Sequence, residues 1–127
     1  MNREPYGKRD PAGISFTSKL TEDIQWIQAA GKLTYGNSEA AKEMLSRLVE
    51  ARPGYVLDLS KLTLIDSTGF GVLIHFNKRY CVNGSRMAIV VNDELLRELF
   101  LIAKLDLLFT LCESPEEAQA VLRGRIQ

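Results

Sequence analysis

Histidine and cysteine, which supply many catalytic and metal-binding sites, are scarce in this chain of 127 residues. His75 is the only histidine, and Cys81 and Cys112 are the only cysteines. The cysteines are too far apart for a C-x-x-C pair, and no second histidine can complete a zinc site. We therefore expect no metal and no cofactor, and we expect both cysteines to be free, buried thiols.

The sequence also lacks an excess of charge of either sign and has no long apolar run. Sixteen basic residues balance sixteen acidic ones, so no overall field draws the chain to a phosphate backbone or to an anionic membrane. No apolar run reaches the roughly 18 to 20 residues that span a bilayer, and the first dozen residues lack the apolar stretch of a secretory signal. These absences argue against nucleic-acid binding and membrane insertion and predict a cytoplasmic protein.

What the chain does contain is the composition of an ordinary globular domain, with 46% hydrophobic and 25% charged residues. A chain of this length has room for one core. Residues 1–12 are polar and carry Pro5, Gly7 and Pro11, so we expect a flexible N-terminal tail. Residues 13–127 are predicted to form the single domain.

Strand and helix patterns alternate along most of this domain. Apolar runs and alternations predict strands at 13–18, 24–29, 55–59, 86–91 and 109–111. Helical spacing predicts helices from about 38 to 51, from 67 to 83, through 95–100, and from Pro115 onward. The predicted N-caps are Asn37 or Ser38, Asp66, Asn92 or Asp93, and Ser114, and Asn83-Gly84 is the predicted stop of the second helix. Residues 31–36 are interpreted as a break and 62–65 as a connector. The order predicts an α/β domain with helices packed on a sheet.

One segment, residues 66–71, departs from local helix rules. Gly69 and Gly71 fall in the first turns of a helix, where each glycine costs up to about 1 kcal/mol relative to alanine. Asp66 as a cap would place the Ser67 and Thr68 hydroxyls beside unpaired N–H groups and the positive end of the helix dipole. The two glycines would then open the approach to a partner backbone or a phosphate.

Two interpretations of this segment stay open on spacing alone. The first is a partner-binding or phosphate-accepting site, and the second is simply a good helix cap whose glycines make a tight entry turn. No G-x-x-x-x-G-K-[ST] run is present, which excludes a P-loop. Ser67 is preceded by Ile65 and Asp66 rather than by G-x, which excludes a G-x-S-x-G nucleophile elbow.

Longer stretches resemble a known family. The run Tyr55-Val56-Leu57-Asp58-Leu59-Ser60, followed by Ile65-Asp66-Ser67-Thr68-Gly69-Phe70-Gly71-Val72-Leu73, resembles the signature of STAS domains, the family of bacterial anti-sigma-factor antagonists. Gly31-Lys32-Leu33 is similar to that family's turn after its second strand, and Ser114-Pro115-Glu116-Glu117-Ala118 to the start of its last helix. The resemblance spans roughly residues 14 to 122.

The resemblance implies a mixed sheet of four or five strands with helices mainly on one side, and no enzymatic activity. It also implies a partner-switching cycle. In that cycle the unmodified protein binds an anti-sigma factor that is also an ATP-binding serine kinase, phosphorylation releases it, and a PP2C-type phosphatase resets it. The family's usual phosphoacceptor corresponds to Ser67, with Thr68 as the weaker candidate. Partner contacts are expected from Asp66, Ser67, Thr68, Gly69, Phe70 and Gly71.

Two further residues complete the predicted site. Thr34 stands where family antagonists commonly carry an acidic residue, three positions after Gly31, and this departure favours an alternative role. That alternative is a constitutive scaffold subunit of a stress-sensing or lipid-transport complex, without a phosphorylation cycle. Asp58 near the end of a central strand is expected either to share the rim with Ser67 or to serve as a structural hydrogen-bond acceptor.

Overall fold

The computed structural model describes residues 12–124. Five strands and four α-helices form one layered α/β domain, in which a hairpin is followed by alternating helices and strands. The elements are β1 (Ile14–Leu20), β2 (Ile24–Leu33), α1 (Ser38–Leu48), β3 (Gly54–Ile65), α2 (Ser67–Tyr80), β4 (Arg86–Val90), α3 (Glu94–Ile102), a 3-10 turn (Leu105–Leu107), β5 (Thr110–Cys112) and α4 (Pro115–Leu122).

The sheet has the spatial order β1-β2-β3-β4-β5. β1 is antiparallel to β2, and the other neighbours are parallel. Each parallel pair is joined through a helix, as parallel strands require, because a tight hairpin cannot connect them. The predicted mixed sheet is confirmed, with five strands.

The helices divide unequally between the two faces of the sheet. α1, α2 and α3 pack on one face over the larger core, which includes Leu45, Phe76 and Phe100. α4 packs on the other face over a smaller core built around Ala118 and Val56. Helices on mainly one side were expected, and α4 is the exception.

Two strands are longer than the sequence pattern predicts. β2 continues through Gly31 to Leu33, so the predicted break begins only at residue 34, and β3 continues to Ile65, so the predicted connector is wrong. The two extensions pair with each other across register shifts. Gly31 adopts a φ of 108°, and a Cβ there would lie 2.3 Å from the carbonyl oxygen of Gly13. Only glycine fits this irregular position, which is why the pattern looked like a turn.

The helix ends show which predicted caps and stops the structure contains. Asp93 and Ser114 accept hydrogen bonds from backbone amides in the first turns of α3 and α4, as predicted. α1 ends at Leu48 rather than near residue 51, and α2 ends at Tyr80, before the predicted Asn83-Gly84 stop. The predicted tail lies outside the described residues apart from Ala12.

Candidate functional site

The predicted functional segment lies at the edge of the sheet where β2 and β3 end. The carboxyl ends of parallel strands meet at one edge, and this edge commonly carries the binding sites of open α/β sheets. Here the β2–α1 loop, residues 34–37, lies against the start of α2. We call these two segments, residues 34–37 and 66–68, the Ser67 rim.

Asp66 connects the two segments of the rim. One carboxylate oxygen accepts a hydrogen bond from the Gly69 amide at 2.9 Å and so caps α2. The other accepts from the Tyr35 amide at 3.0 Å in the neighbouring loop. The Gly69 amide, followed by that of Tyr35, holds the pKa of Asp66 below its ordinary value because both stabilise the charged carboxylate. Asp66 therefore caps α2 and also holds the β2–α1 loop against the start of that helix.

The loop half of the rim is held by a second side chain, Asn37. Its Oδ1 accepts from the Thr34 amide at 2.9 Å, and its Nδ2 donates to the carbonyls of Lys32 and Ala12, each at 2.8 Å. Asn37 is buried and makes no cap bond to α1, although it stands at the helix N-cap. Thr34 and Tyr35 thus lie on a loop that the hydrogen bonds of Asn37, together with the bond between Tyr35 and Asp66, fix in place.

Ser67 is the first residue of α2 and is exposed to solvent. Within residues 12–124, no hydrogen bond occupies its hydroxyl. Thr68 follows it and is half-buried. A free hydroxyl at a helix N-terminus lies where the dipole and unpaired amides favour an added negative charge. Ser67 is therefore accessible to a partner, at a helix end that favours negative charge.

The two glycines serve different purposes. A Cβ on Gly69 would lie 2.1 Å from the Leu33 carbonyl oxygen and 2.7 Å from Ile65 Cγ1, so this glycine lets α2 pack on the ends of β2 and β3. The expectation that Gly69 opens an approach from outside is wrong. A Cβ on Gly71 would meet nothing within 4 Å, so the surface there is open.

Phe70 is turned largely toward the interior. Its ring meets the ring of Phe100 edge to face, with centroids 4.9 Å apart, and it is half-buried. This contact joins the start of α2 to α3. The exposed aromatic residue of the rim is Tyr35, with 82% of its surface accessible. Tyr35 was not among the residues predicted from the sequence. The available signal was an aromatic residue directly before Gly36.

Asp58 does not share the rim with Ser67. Asp58 lies two residues after Val56 on β3 and therefore on the same face of the sheet, which α4 covers. There it accepts hydrogen bonds from the Ser60 amide at 2.9 Å and from the Gln28 side-chain amide at 3.4 Å. It lines a groove of about 440 Å³ together with residues of β1, β2 and the first turns of α4. The expectation that Asp58 faces the Ser67 rim is wrong, and its role as a hydrogen-bond acceptor is the one observed.

Other residues considered from the sequence lie apart from the rim or form no site. His75 is exposed on α2, directly before the buried Phe76. In the described range, no three histidine, cysteine or acidic side chains converge as metal ligands. None of the helices in residues 12–124 is long and apolar enough to cross a membrane.

Comparison with known proteins agrees with this architecture. The STAS domain family model matches residues 15–118, which is most of the chain. An anti-sigma factor antagonist from Mycobacterium paratuberculosis superposes with a TM-score of 0.80 at 18% identity, covering 90% of this chain and 97% of the other.

Two further solved structures share the fold. The phosphorylated form of the Bacillus cell fate determinant SpoIIAA matches with a TM-score of 0.60 at 17% identity, covering 84% of this chain and 99% of its own. A sulfate transporter family protein from Wolinella succinogenes matches with a TM-score of 0.67 at 16% identity, covering 83% and 88% of the two chains.

Proposed function

The chain belongs to the STAS domain family, and we propose that it is a non-enzymatic, cytoplasmic anti-sigma factor antagonist. Its partner is an anti-sigma factor that is also a serine kinase of the ATP-binding type. Binding frees the sigma factor, phosphorylation at Ser67 ends the complex, and a PP2C-type phosphatase restores it. The observation that carries this proposal is the Ser67 hydroxyl at the start of α2, which is exposed and has no hydrogen-bond partner within residues 12–124.

The geometry of the rim supports both binding and release. The Asp66 and Asn37 side chains accept hydrogen bonds from the Tyr35 and Thr34 amides and so hold the loop beside Ser67, which gives a partner a preorganised surface. A phosphate would add about −1.5 to −2 charges beside the Asp66 carboxylate. The helix dipole makes that charge tolerable to the fold, whereas a partner surface that fits the neutral rim would have to desolvate it.

Kinase assays test the phosphoacceptor directly. Each ATP-binding anti-sigma kinase encoded in the same genome would be incubated with the full chain and Mg-ATP, and the modified residue located by mass spectrometry. We expect one phosphate on Ser67, lost in Ser67→Ala and retained in Thr68→Ala. Modification at another residue, with Ser67→Ala unaffected, would contradict the proposal.

Binding without ATP tests the switch itself. We expect Ser67→Asp to weaken binding to the kinase at least tenfold, while Ser67→Ala changes it little, because only the first places a charge in the interface. Calorimetric titration of each variant measures this difference. Equal affinities for the two variants would show that charge at residue 67 does not control the complex.

The scaffold function is the second candidate, and two observations favour it. Thr34 leaves the loop of the rim without the acidic residue that family antagonists commonly carry, and the same fold occurs in a sulfate transporter family protein. A scaffold would use the rim as a permanent contact in a stress-sensing or lipid-transport complex. It predicts stable co-purification with such subunits and no phosphate incorporation at Ser67 by any kinase of the panel.

A further inference from the structure

Aliphatic side chains remain exposed beside the Ser67 rim, on α3 and at the end of β3. The exposed fractions are 52% for Leu64, 71% for Leu95 and 37% for Leu99. Between them lies a groove of about 350 Å³, lined by residues 62–65 of β3 and by Asp93, Leu95, Leu96 and Leu99. Single exposed leucines are common, but an apolar cluster around a groove is typical of an interaction surface. We call this feature the β3–α3 groove.

The groove exists because neighbouring strands differ in length. The pairing of β3 with β4 ends at Asp58 and Val90, whereas β3 continues to Ile65. In the described part of the chain, the last residues of β3 therefore have a strand neighbour only on the β2 side, where β2 runs beside them to Leu33. The space that a longer β4 would fill is left between β3 and α3.

The groove adjoins the Ser67 rim along the chain, because the groove residue Ile65 directly precedes Asp66. Ile65 lines the groove and lies two residues before Ser67. On the other side, the contact between Phe70 and Phe100 fixes α3 against the start of α2. A partner that covers Ser67 therefore has the groove within the same contact area.

The charges around the groove indicate what can fill it. Asp93, the N-cap of α3, lines the groove, whereas Glu94 and Glu98 are exposed on the adjoining face of α3, in a depression that they share with Arg97. The Asp66 carboxylate lies at the rim. Two exposed lysines lie on the strand side: Lys32, the register neighbour of Leu64 on β2, and Lys61, which directly precedes the groove residue Leu62 on β3. The guanidinium of Arg97 donates to the Val91 carbonyl at 3.1 Å. Two copies of this chain meeting groove to groove would bring the acidic residues together, which disfavours a homodimer.

We propose that the β3–α3 groove binds a segment of the anti-sigma kinase in which aliphatic side chains are flanked by lysine or arginine. The aliphatic side chains enter between Leu64 and Leu95, and the basic residues pair with the acids of α3. This inference rests on the proposed function and adds a second contact, which does not depend on the modification state of Ser67.

Leucine variants measure the contribution of the groove. In the full chain without ATP, the double variant Leu64→Ser/Leu95→Ser is expected to weaken binding to the kinase at least tenfold. The matched control is Leu107→Ser/Leu108→Ser, since these leucines are 80% and 47% exposed and lie outside the groove. Both double variants change exposed side chains, and circular dichroism checks that each is folded.

Charge reversal and peptide probes test whether the groove prefers a basic segment. Glu94→Lys/Glu98→Lys is expected to lower the association rate at low salt several-fold. A synthetic peptide of alternating leucine and lysine should shift the amide NMR signals of residues 62–65 and of Leu95. A peptide of alternating leucine and glutamate should not.

These experiments distinguish a failure of the groove proposal from a failure of the proposed antagonist function. If the Leu64/Leu95 variant binds like the native chain while Ser67→Asp loses binding, the groove proposal is overturned and the antagonist function stands. If no kinase of the panel binds, the function fails, and the peptide titration alone decides the groove. A concentration-dependent dimer that Leu64→Ser/Leu95→Ser abolishes would make a second copy the occupant and refute the basic-segment proposal.

Discussion

Alanine at Gly69 and alanine at Gly71 should change the stability of this domain in opposite directions. Both residues lie in α2, two positions apart, so helix propensity alone would favour both replacements by up to about 1 kcal/mol. At Gly71 a Cβ would meet nothing within 4 Å. We expect Gly71→Ala to raise the free energy of unfolding by about 0.5 to 1 kcal/mol, or ~3 °C in Tm.

At Gly69 the surrounding backbone decides the outcome. The added Cβ would stand 2.1 Å from the Leu33 carbonyl oxygen, and ordinary van der Waals contact begins near 3.4 Å. A backbone atom of β2 cannot rotate away, so α2 must move by more than an ångström or β2 must bend. Such overpacking typically costs 1 to 3 kcal/mol, and we expect Gly69→Ala to be destabilised by about 2 kcal/mol net of helix propensity.

Urea unfolding, followed by circular dichroism and by the fluorescence of Trp26, measures both variants. Gly71→Ala is the matched control for Gly69→Ala, because it makes the same chemical change in the same helix. A Gly69→Ala protein as stable as the native chain would refute the close packing of α2 on the end of β2. Destabilisation of Gly71→Ala by more than about 0.5 kcal/mol would refute the open surface there.

Two further predictions concern buried polar groups and thiols. Gln25 is fully buried and accepts a hydrogen bond from the Glu50 amide at 2.8 Å. Gln25→Ala should therefore lower the free energy of unfolding in urea by about 2 kcal/mol. Gln28 is half-buried and makes a weaker contact, so Gln28→Ala should lower it far less. The prediction of buried thiols is confirmed for Cys112, whereas Cys81 is half-buried, and loss of water around each thiol raises its pKa to about 11. Their contribution to stability is complete below the unfolded pKa near 9 and is lost as the pH rises toward 11. Native thiols should therefore react with a disulfide reagent at pH 8 at least tenfold more slowly than in urea, and equal rates would contradict their burial.

The helix caps show what short-range signals are able to predict. Asp66, Asp93 and Ser114 each accept from the amide three residues later, as the sequence indicated. A cap is a local interaction between a side chain and its own first turn, so neighbouring residues suffice to predict it. Asn37 looked equally suitable, but it binds Thr34, Lys32 and Ala12 instead.

Asp58 and Gly69 show where short-range signals fail. The alternation of side chains along β3 places Asp58 on the α4 face, away from Ser67. Which face α4 covers depends on the path of the whole chain and not on any local pattern. Gly69 is required by the Leu33 carbonyl, 36 residues earlier, so its purpose is visible only once β2 and α2 are in contact.

The sequence by itself determined the class of fold, the capped helix that begins at Ser67, and the presence of a single histidine. These properties follow from periodicity, composition and contacts within one turn of chain. Only the tertiary structure decided that Asp66 ties the Tyr35 loop to α2, that Gly69 faces inward, and that an apolar groove opens beside Ser67. Those features arise where β2, β3 and α3 meet, and their relative lengths and registers are set by packing between residues far apart in the chain.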